Sequence, residues 1–268
     1  RIEMTRPIAL SLVSHTNVGK TTLARTLLSR DVGEVRDAPH VTEFTDEHEL
    51  LRAPGGQTLT LWDTPGFGDS VRLVRRLRQA GNPVGWFLSE VWDRWRDRPF
   101  WAGQQVLRHV RERSDLLLYL VNAAEAPAAS GYVAAEMELL DWVGKPVLVL
   151  LNQLGPPRDA AAEAAERQAW AAQLARWPLV RAVLPLDAFA RCWVQEAALW
   201  QAVQAALPAE RQPAMAAVQA AWTRQRRQVF DAAMQALALS LATLARHREP
   251  LDETGAARGA LRQIGTAI

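Results

Sequence analysis

Cysteine is almost missing from this chain. A single residue, Cys192, in 268 excludes an internal disulfide framework and a multi-cysteine zinc site. No secretory leader pattern opens the sequence, so a reducing, cytoplasmic compartment is the expectation. No motif surrounds Cys192, and a buried structural thiol is expected there. Lysine is nearly as scarce. Lys20 and Lys145 stand alone, and the other 29 basic residues are arginine. No run of about eighteen uncharged apolar residues occurs, which argues against an ordinary membrane span. No repeat of fixed period is present. His15, His40, His48, His109 and His247 show neither i,i+4 pairing nor metal spacing. Apolar residues at 49% and charged residues at 22% exclude global disorder. A net charge of +2 is small, so the arginines read as solvated faces rather than as a nucleic-acid footprint.

The length suits one domain plus an extension. Ile8–Val13 is a short apolar run followed by a loop over Ser14–Thr22 and a helical pattern to Leu28. Residues 31–46 are polar and irregular. Thr58–Trp62 alternates and stops at a turn, Asp63-Thr64-Pro65-Gly66. Residues 71–113 read as mostly helical, with a break at Gly81-Asn82-Pro83. Leu116–Val121 and Val147–Leu151 are continuous apolar runs, as strands buried on both faces require. Helices are expected over 133–143 and 159–176, and a last strand over 180–186. This alternation predicts an α/β fold of parallel βαβ units from residue 7 to about 190. Beyond it, helical patterns over 191–207 and 214–247 predict an α-helical extension spanning 191–268. The chain opens at Arg1 rather than Met, which suits a trimmed start, and its tail from Pro250 has no core face, so a loose tail or the stub of a longer chain is expected.

Two motifs carry chemistry. Ser14-His15-Thr16-Asn17-Val18-Gly19-Lys20-Thr21, followed by Thr22, has the spacing of a phosphate loop, with Ser14 at the first glycine position. Consecutive backbone N–H groups and a helix N-terminus make a cradle for a polyphosphate. Gly19 admits close approach, Lys20 brings a compact charge, and the Thr21 hydroxyl suits Mg²⁺. A chain that otherwise uses arginine places one of its two lysines here, where a planar guanidinium would fit poorly. The Cβ of Ser14 is expected to strain the loop or to weaken phosphate binding. In the second motif, Asp63 at a strand end can hold Mg²⁺ through water, and the Gly66 N–H can meet a γ-phosphate.

With these motifs the chain resembles the G domains of the TrmE–Era–EngA group of bacterial GTPases. The likeness rests on Asn17-Val18-Gly19-Lys20-Thr21, on Asp63-Thr64-Pro65-Gly66-Phe67 and on a threonine in the loop between them. It implies a P-loop NTPase G domain over 1–190, GTP or GDP as ligand, and slow Mg²⁺-dependent hydrolysis used as a switch. It makes Thr42, or less favourably Thr45, the second hydroxyl ligand of Mg²⁺ beside Thr21 and Asp63. It implies that Asn17 holds a K⁺ ion in place of an arginine finger, with stimulation by pairing of G domains. Phe67 stands where Ras-type proteins have the water-orienting glutamine, and a phenyl ring cannot position water.

The guanine-reading motif departs from the pattern. Asn152-Gln153-Leu154-Gly155 keeps the asparagine, replaces the lysine and lacks the aspartate. Losing that carboxylate removes a bidentate base contact worth about 1–3 kcal/mol. Asp187, followed by Ala188, lies where related proteins place a loop that touches the base, and is expected to supply part of the missing acceptor. Residues 83–101 hold Trp86, Phe87, Trp92, Trp95, Phe100 and Trp101 interleaved with Arg94, Arg96 and Arg98. Extra core, a switch-controlled protein interface and a membrane-surface helix all stay open for this insert. Three functions therefore compete: an active switch GTPase, a nucleotide-binding scaffold that hardly hydrolyses, and a peripheral inner-membrane protein with nucleotide-controlled attachment. A protein partner or a second copy is expected, nucleic acid is not.

Overall fold

The computed structural model describes residues 6–15, 18–28, 46–67, 70–79, 98–188 and 192–246. Strand β1 (Ile8–Ser14) leads into helix α1 (Lys20–Leu28). Strands β2 (Asp46–Arg52) and β3 (Thr58–Asp63) form a hairpin, followed by α2 (Ser70–Gln79) and α3 (Arg98–Arg113). Then β4 (Leu116–Asn122), α4 (Gly131–Val143), β5 (Val147–Asn152), α5 (Ala160–Leu174) and β6 (Val180–Pro185) alternate. Helices α6 (Trp193–Ala206) and α7 (Gln212–Arg246) end the described chain.

The strands form one sheet in the order β2-β3-β1-β4-β5-β6. All neighbours pair in parallel except β2 with β3. The sheet is therefore mainly parallel, with one antiparallel pair at this edge. The pattern of β2, Asp-Glu-His-Glu-Leu-Leu-Arg, exposes Glu47 and Glu49 and half-buries His48 and Leu50. Such an edge strand needs few apolar residues, and charge on it blocks further pairing.

Period-two alternation divides the core into two layers. Leu116, Leu118 and Leu120 of β4 join Leu10 and Leu12 of β1 on the face covered by α1, α6 and the start of α7, through Leu23, Trp200, Val203 and Met215. Leu117, Tyr119 and Val121 face the other way, toward Leu73, Leu107, Leu140 and Trp170 of α2, α3, α4 and α5. Each β4 residue from Leu116 to Val121 is buried, so every one contributes about 1.5–3 kcal/mol of apolar transfer.

The compact unit runs over Arg1–Trp222, and a second unit over Thr223–Ile268. Helix α6 and the first turns of α7 pack into the sheet's own core, through Trp200, Val203, Met215 and Val218. Trp222 closes that core by donating its indole N–H to Glu196 at 3.2 Å. Cys192 precedes α6 and is partly exposed, not buried as expected. Helix α7 is long and apolar enough, by length and composition alone, to cross a membrane, and its apolar window is wholly exposed. The greater part of the Trp/Arg insert at 83–101, and the tail from His247, lie outside the described residues.

Candidate functional site: a phosphate loop and its supports

The C-terminal ends of β1, β3, β4 and β5 come together, at Ser14, Asp63, Asn122 and Asn152. In an open parallel sheet this edge, where helices leave in both directions from the central strands, is where ligands bind. β1 ends in the loop that begins α1, so the first amides of α1 point into that crevice.

Gly19 turns the chain with φ +95°. A Cβ there would lie 2.8 Å from the Asn152 amide nitrogen, so both conformation and space require glycine. Asn152, fully buried at the end of β5, is the post behind the turn. Its Nδ2 donates to the Val18 carbonyl at 2.8 Å, and its Oδ1 accepts from the Ala188 N–H at 2.8 Å. One side chain thus ties the phosphate loop to the loop after β6. The Thr26 hydroxyl of α1 also donates to the Ala188 carbonyl. Asp187 is partly buried beside this tie.

The Lys20 ammonium donates to Ser14 Oγ at 2.9 Å and lies 3.5 Å from the His15 carbonyl. Burial pushes its pKa below the usual lysine value, against the pull of Asp63 and Glu136. The strain expected at Ser14 is absent. Ser14 closes β1, and among the described residues the only non-glycine in the left-handed region is Gln153, at φ 59°. The serine hydroxyl is instead a partner for the lysine.

Thr21 donates its hydroxyl to Asp63 Oδ2 at 3.1 Å. A hydroxyl and a carboxylate, both hard oxygen donors, are what Mg²⁺ takes, and it keeps several waters besides. These two residues fit that ion. Thr42, the expected third member, lies outside the described residues, as do Thr16 and Asn17 of the loop. Thr22 is on α1, one residue after Thr21, and is partly buried. Gly66 is partly exposed after β3, and the following N–H, of Phe67, donates to the Ser14 carbonyl at 3.1 Å. The Phe67 ring is buried in the core with Leu73 and Val106. It stays away from solvent and contributes packing, not chemistry.

In the loop after β5, Gln153 and Gly155 (φ +73°) both take left-handed backbone, and nothing lies within 4 Å of a Cβ built on Gly155. The space that an aspartate side chain would use is open.

Sequence reasoning missed Glu136 and Tyr119. Glu136 of α4 is fully buried. It faces His15 Nδ1 at 2.8 Å and accepts from the Tyr119 hydroxyl at 2.7 Å. Tyr132 stacks on the His15 ring, with centroids 4.4 Å apart. The bond to Glu136 holds the imidazole's pKa above its usual value, while burial pushes the carboxyl of Glu136 up. The one sequence signal was a carboxylate on the apolar stripe of Val133, Met137 and Leu140.

Comparison with known proteins agrees with this geometry. The model of a family described as 50S ribosome-binding GTPase matches residues 9–153, from β1 to the loop after β5. No curated protein matches the chain by sequence. Among solved structures, a point variant of Era from Aquifex aeolicus bound to GDP·AlF4− is 18% identical, with a TM-score of 0.53. That likeness covers 76% of this chain and 58% of the other. Era in complex with MgGDPNP and a segment of 16S ribosomal RNA is likewise 18% identical, at TM-score 0.53, over 76% of this chain and 57% of that one. This chain therefore covers less than two thirds of either Era chain. At this identity the likeness speaks for the fold.

Proposed function

The chain belongs to the 50S ribosome-binding GTPase family, and from that premise we propose that it binds GTP and GDP and hydrolyses GTP slowly, as a Mg²⁺-dependent conformational switch. The observation that carries the reading is the joint placement of a buried ammonium, Lys20, over the loop and of Thr21 3.1 Å from Asp63 at the same sheet edge. The loop amides from Ser14 to Thr22 and the Lys20 ammonium bind the phosphates. Thr21 and Asp63, with Thr42, would hold Mg²⁺, which when bound neutralises charge on the phosphate oxygens. The Gly66 N–H follows Asp63 closely enough to report the γ-phosphate to α2.

Phosphoryl transfer needs positioning more than covalent chemistry. Phe67 is buried, so its position provides no group to orient water. The remaining help falls to Asn17 with K⁺, and to pairing with a second copy or another protein through the switch regions and the Trp/Arg segment. The same burial of Phe67 favours the second reading, a nucleotide-binding scaffold with little turnover. Attachment to a membrane surface is the third, and the exposed apolar window of α7 favours it. Gln153 and the open space at Gly155 support a relaxed base preference, with Asn152, Asp187 and Ala188 supplying what guanine contacts remain.

Calorimetric titration with GTP, GDP and ATP, with and without Mg²⁺, tests the reading. GTP and GDP are expected to bind, GTP more tightly with Mg²⁺, and Lys20→Ala is expected to abolish GTP binding. Asp187→Asn is expected to reduce the GTP-to-ATP affinity ratio. Turnover in K⁺ should exceed turnover in Na⁺ if Asn17 holds the ion. A wild-type protein that binds none of the three nucleotides would overturn the function.

A further inference from the structure

A fully buried carboxylate in the middle of a helix is costly unless its oxygens are bonded. Glu136 sits in α4 at 0% exposure, and each of its oxygens has one partner. Oε2 accepts from the Tyr119 hydroxyl of β4, itself buried. Oε1 lies 2.8 Å from Nδ1 of His15. One partner belongs to the core, the other to the phosphate loop. Tyr132, one turn before Glu136 on the same helix, stacks on the imidazole at an interplanar angle of 22°. The ring is therefore fixed along its edge and across its face.

The phosphate loop has two ends. Its exit, Val18-Gly19, is held by Asn152. Its entrance is His15, whose carbonyl lies 3.5 Å from the Lys20 ammonium and accepts from the Ser14 hydroxyl at 2.5 Å. The same hydroxyl accepts from Lys20. Moving His15 therefore moves one oxygen beside the lysine and the acceptor that orients the Ser14 hydroxyl. The loop amides that must cradle phosphate lie between the two posts, and a cradle works when its donors are preorganised.

We infer that Glu136 is a positioning residue for polyphosphate binding, acting through His15 on the phosphate loop and on Lys20. The inference rests on the nucleotide reading above. Tyr119 anchors the carboxylate, Glu136 orients the imidazole, and His15 sets the entrance of the loop. Glu136 itself does not touch the nucleotide.

The test is a double-mutant cycle read by calorimetry on the full chain. Glu136→Gln keeps an acceptor for Tyr119 but replaces the carboxylate oxygen facing His15 with a neutral amide, which no longer holds Nδ1 as an N–H donor. Glu136→Gln and His15→Ala are each expected to weaken GTP and GDP binding by about tenfold. The double variant should be no weaker than His15→Ala alone, because Glu136 acts through that ring. GMP, which lacks the β- and γ-phosphates, should lose less than about twofold. His15 is partly exposed, so water can reach Oε1 once the ring is removed, and His15→Ala is expected to fold with a melting temperature lowered by only a few degrees; this arm stands even where Glu136→Gln unfolds. Losses that multiply in the double variant, equal losses for GMP, or unchanged GTP affinity in His15→Ala would each overturn the inference. These results are distinct from a wild-type protein that binds no nucleotide, which would remove the function it builds on.

Discussion

Serine in place of the first loop glycine changes what the empty loop does with its lysine. The Ser14 hydroxyl accepts from Lys20 and donates to the His15 carbonyl, so the ammonium already has a neutral partner before phosphate arrives. A hydrogen bond to a charged group contributes about 1.5–3 kcal/mol, and binding must surrender part of it. Ser14→Gly is accordingly expected to tighten GTP binding by up to about tenfold, equivalent to about 1.4 kcal/mol. Isothermal titration against the wild type decides it. A weaker Ser14→Gly variant would mean that the hydroxyl preorganises Lys20 for phosphate rather than competing for it. Residues of this kind were half legible in the sequence. The spacing of Gly19, Lys20 and Thr21 stated the chemistry. The sequence could not say whether Ser14 was strained, because that depends on which residue closes β1.

The elements were legible in proportion to how completely they are buried. β4 and β5 announce themselves, because a strand covered on both faces must be apolar at every position, and Leu116–Val121 is. β2 was invisible because its stability comes from its neighbour. Glu47, Glu49 and Arg52 face water while its backbone pairs with β3, and the turn is closed by Ala53 N–H to the Gln57 carbonyl at 2.8 Å. Glu136 escaped notice for the reverse reason, one polar residue hidden in an apolar stripe. The joint between elements was equally hard to foresee. Arg211, between α6 and α7, donates to the Arg6 and Pro7 carbonyls at 2.9 and 2.6 Å and to Asp115 at 2.9 Å. Asp115 also accepts from the Ala9 N–H at 2.9 Å. One guanidinium thus fastens the start of β1 and the start of β4 to the last helical connection. Arg211→Ala is expected to lower the stability of the compact unit by about 1–2 kcal/mol. Urea melts followed by circular dichroism would read this as a lower midpoint with an unchanged slope. No change in midpoint would reduce the clamp to a surface contact.

At the scale of the whole molecule the decisive residue is Trp222. Among the described residues it is the last that is buried. From Thr223 to Arg246 every residue of the helix but Arg226 is exposed. Phe230, Met234, Leu237, Leu241 and Leu244 recur at alternating steps of four and three, the spacing of a seam between helices. Roughly half of each side chain or more is accessible, from 43% at Met234 to 67% at Leu244. A seam of this kind lies against another helix or on a surface. A chain ending at Trp222 keeps every described core residue and every described support of the phosphate loop. It is expected to melt within about 2 °C of the full chain and to bind GTP with the same affinity. The full chain is expected to associate as its concentration rises and the shortened chain is not, read by sedimentation velocity. A melting temperature lower by about 5 °C or more would place part of the folding energy of the compact unit beyond Trp222. A full chain that stays monomeric at high concentration yet sediments with anionic liposomes would assign the seam to lipid instead of to a second helix.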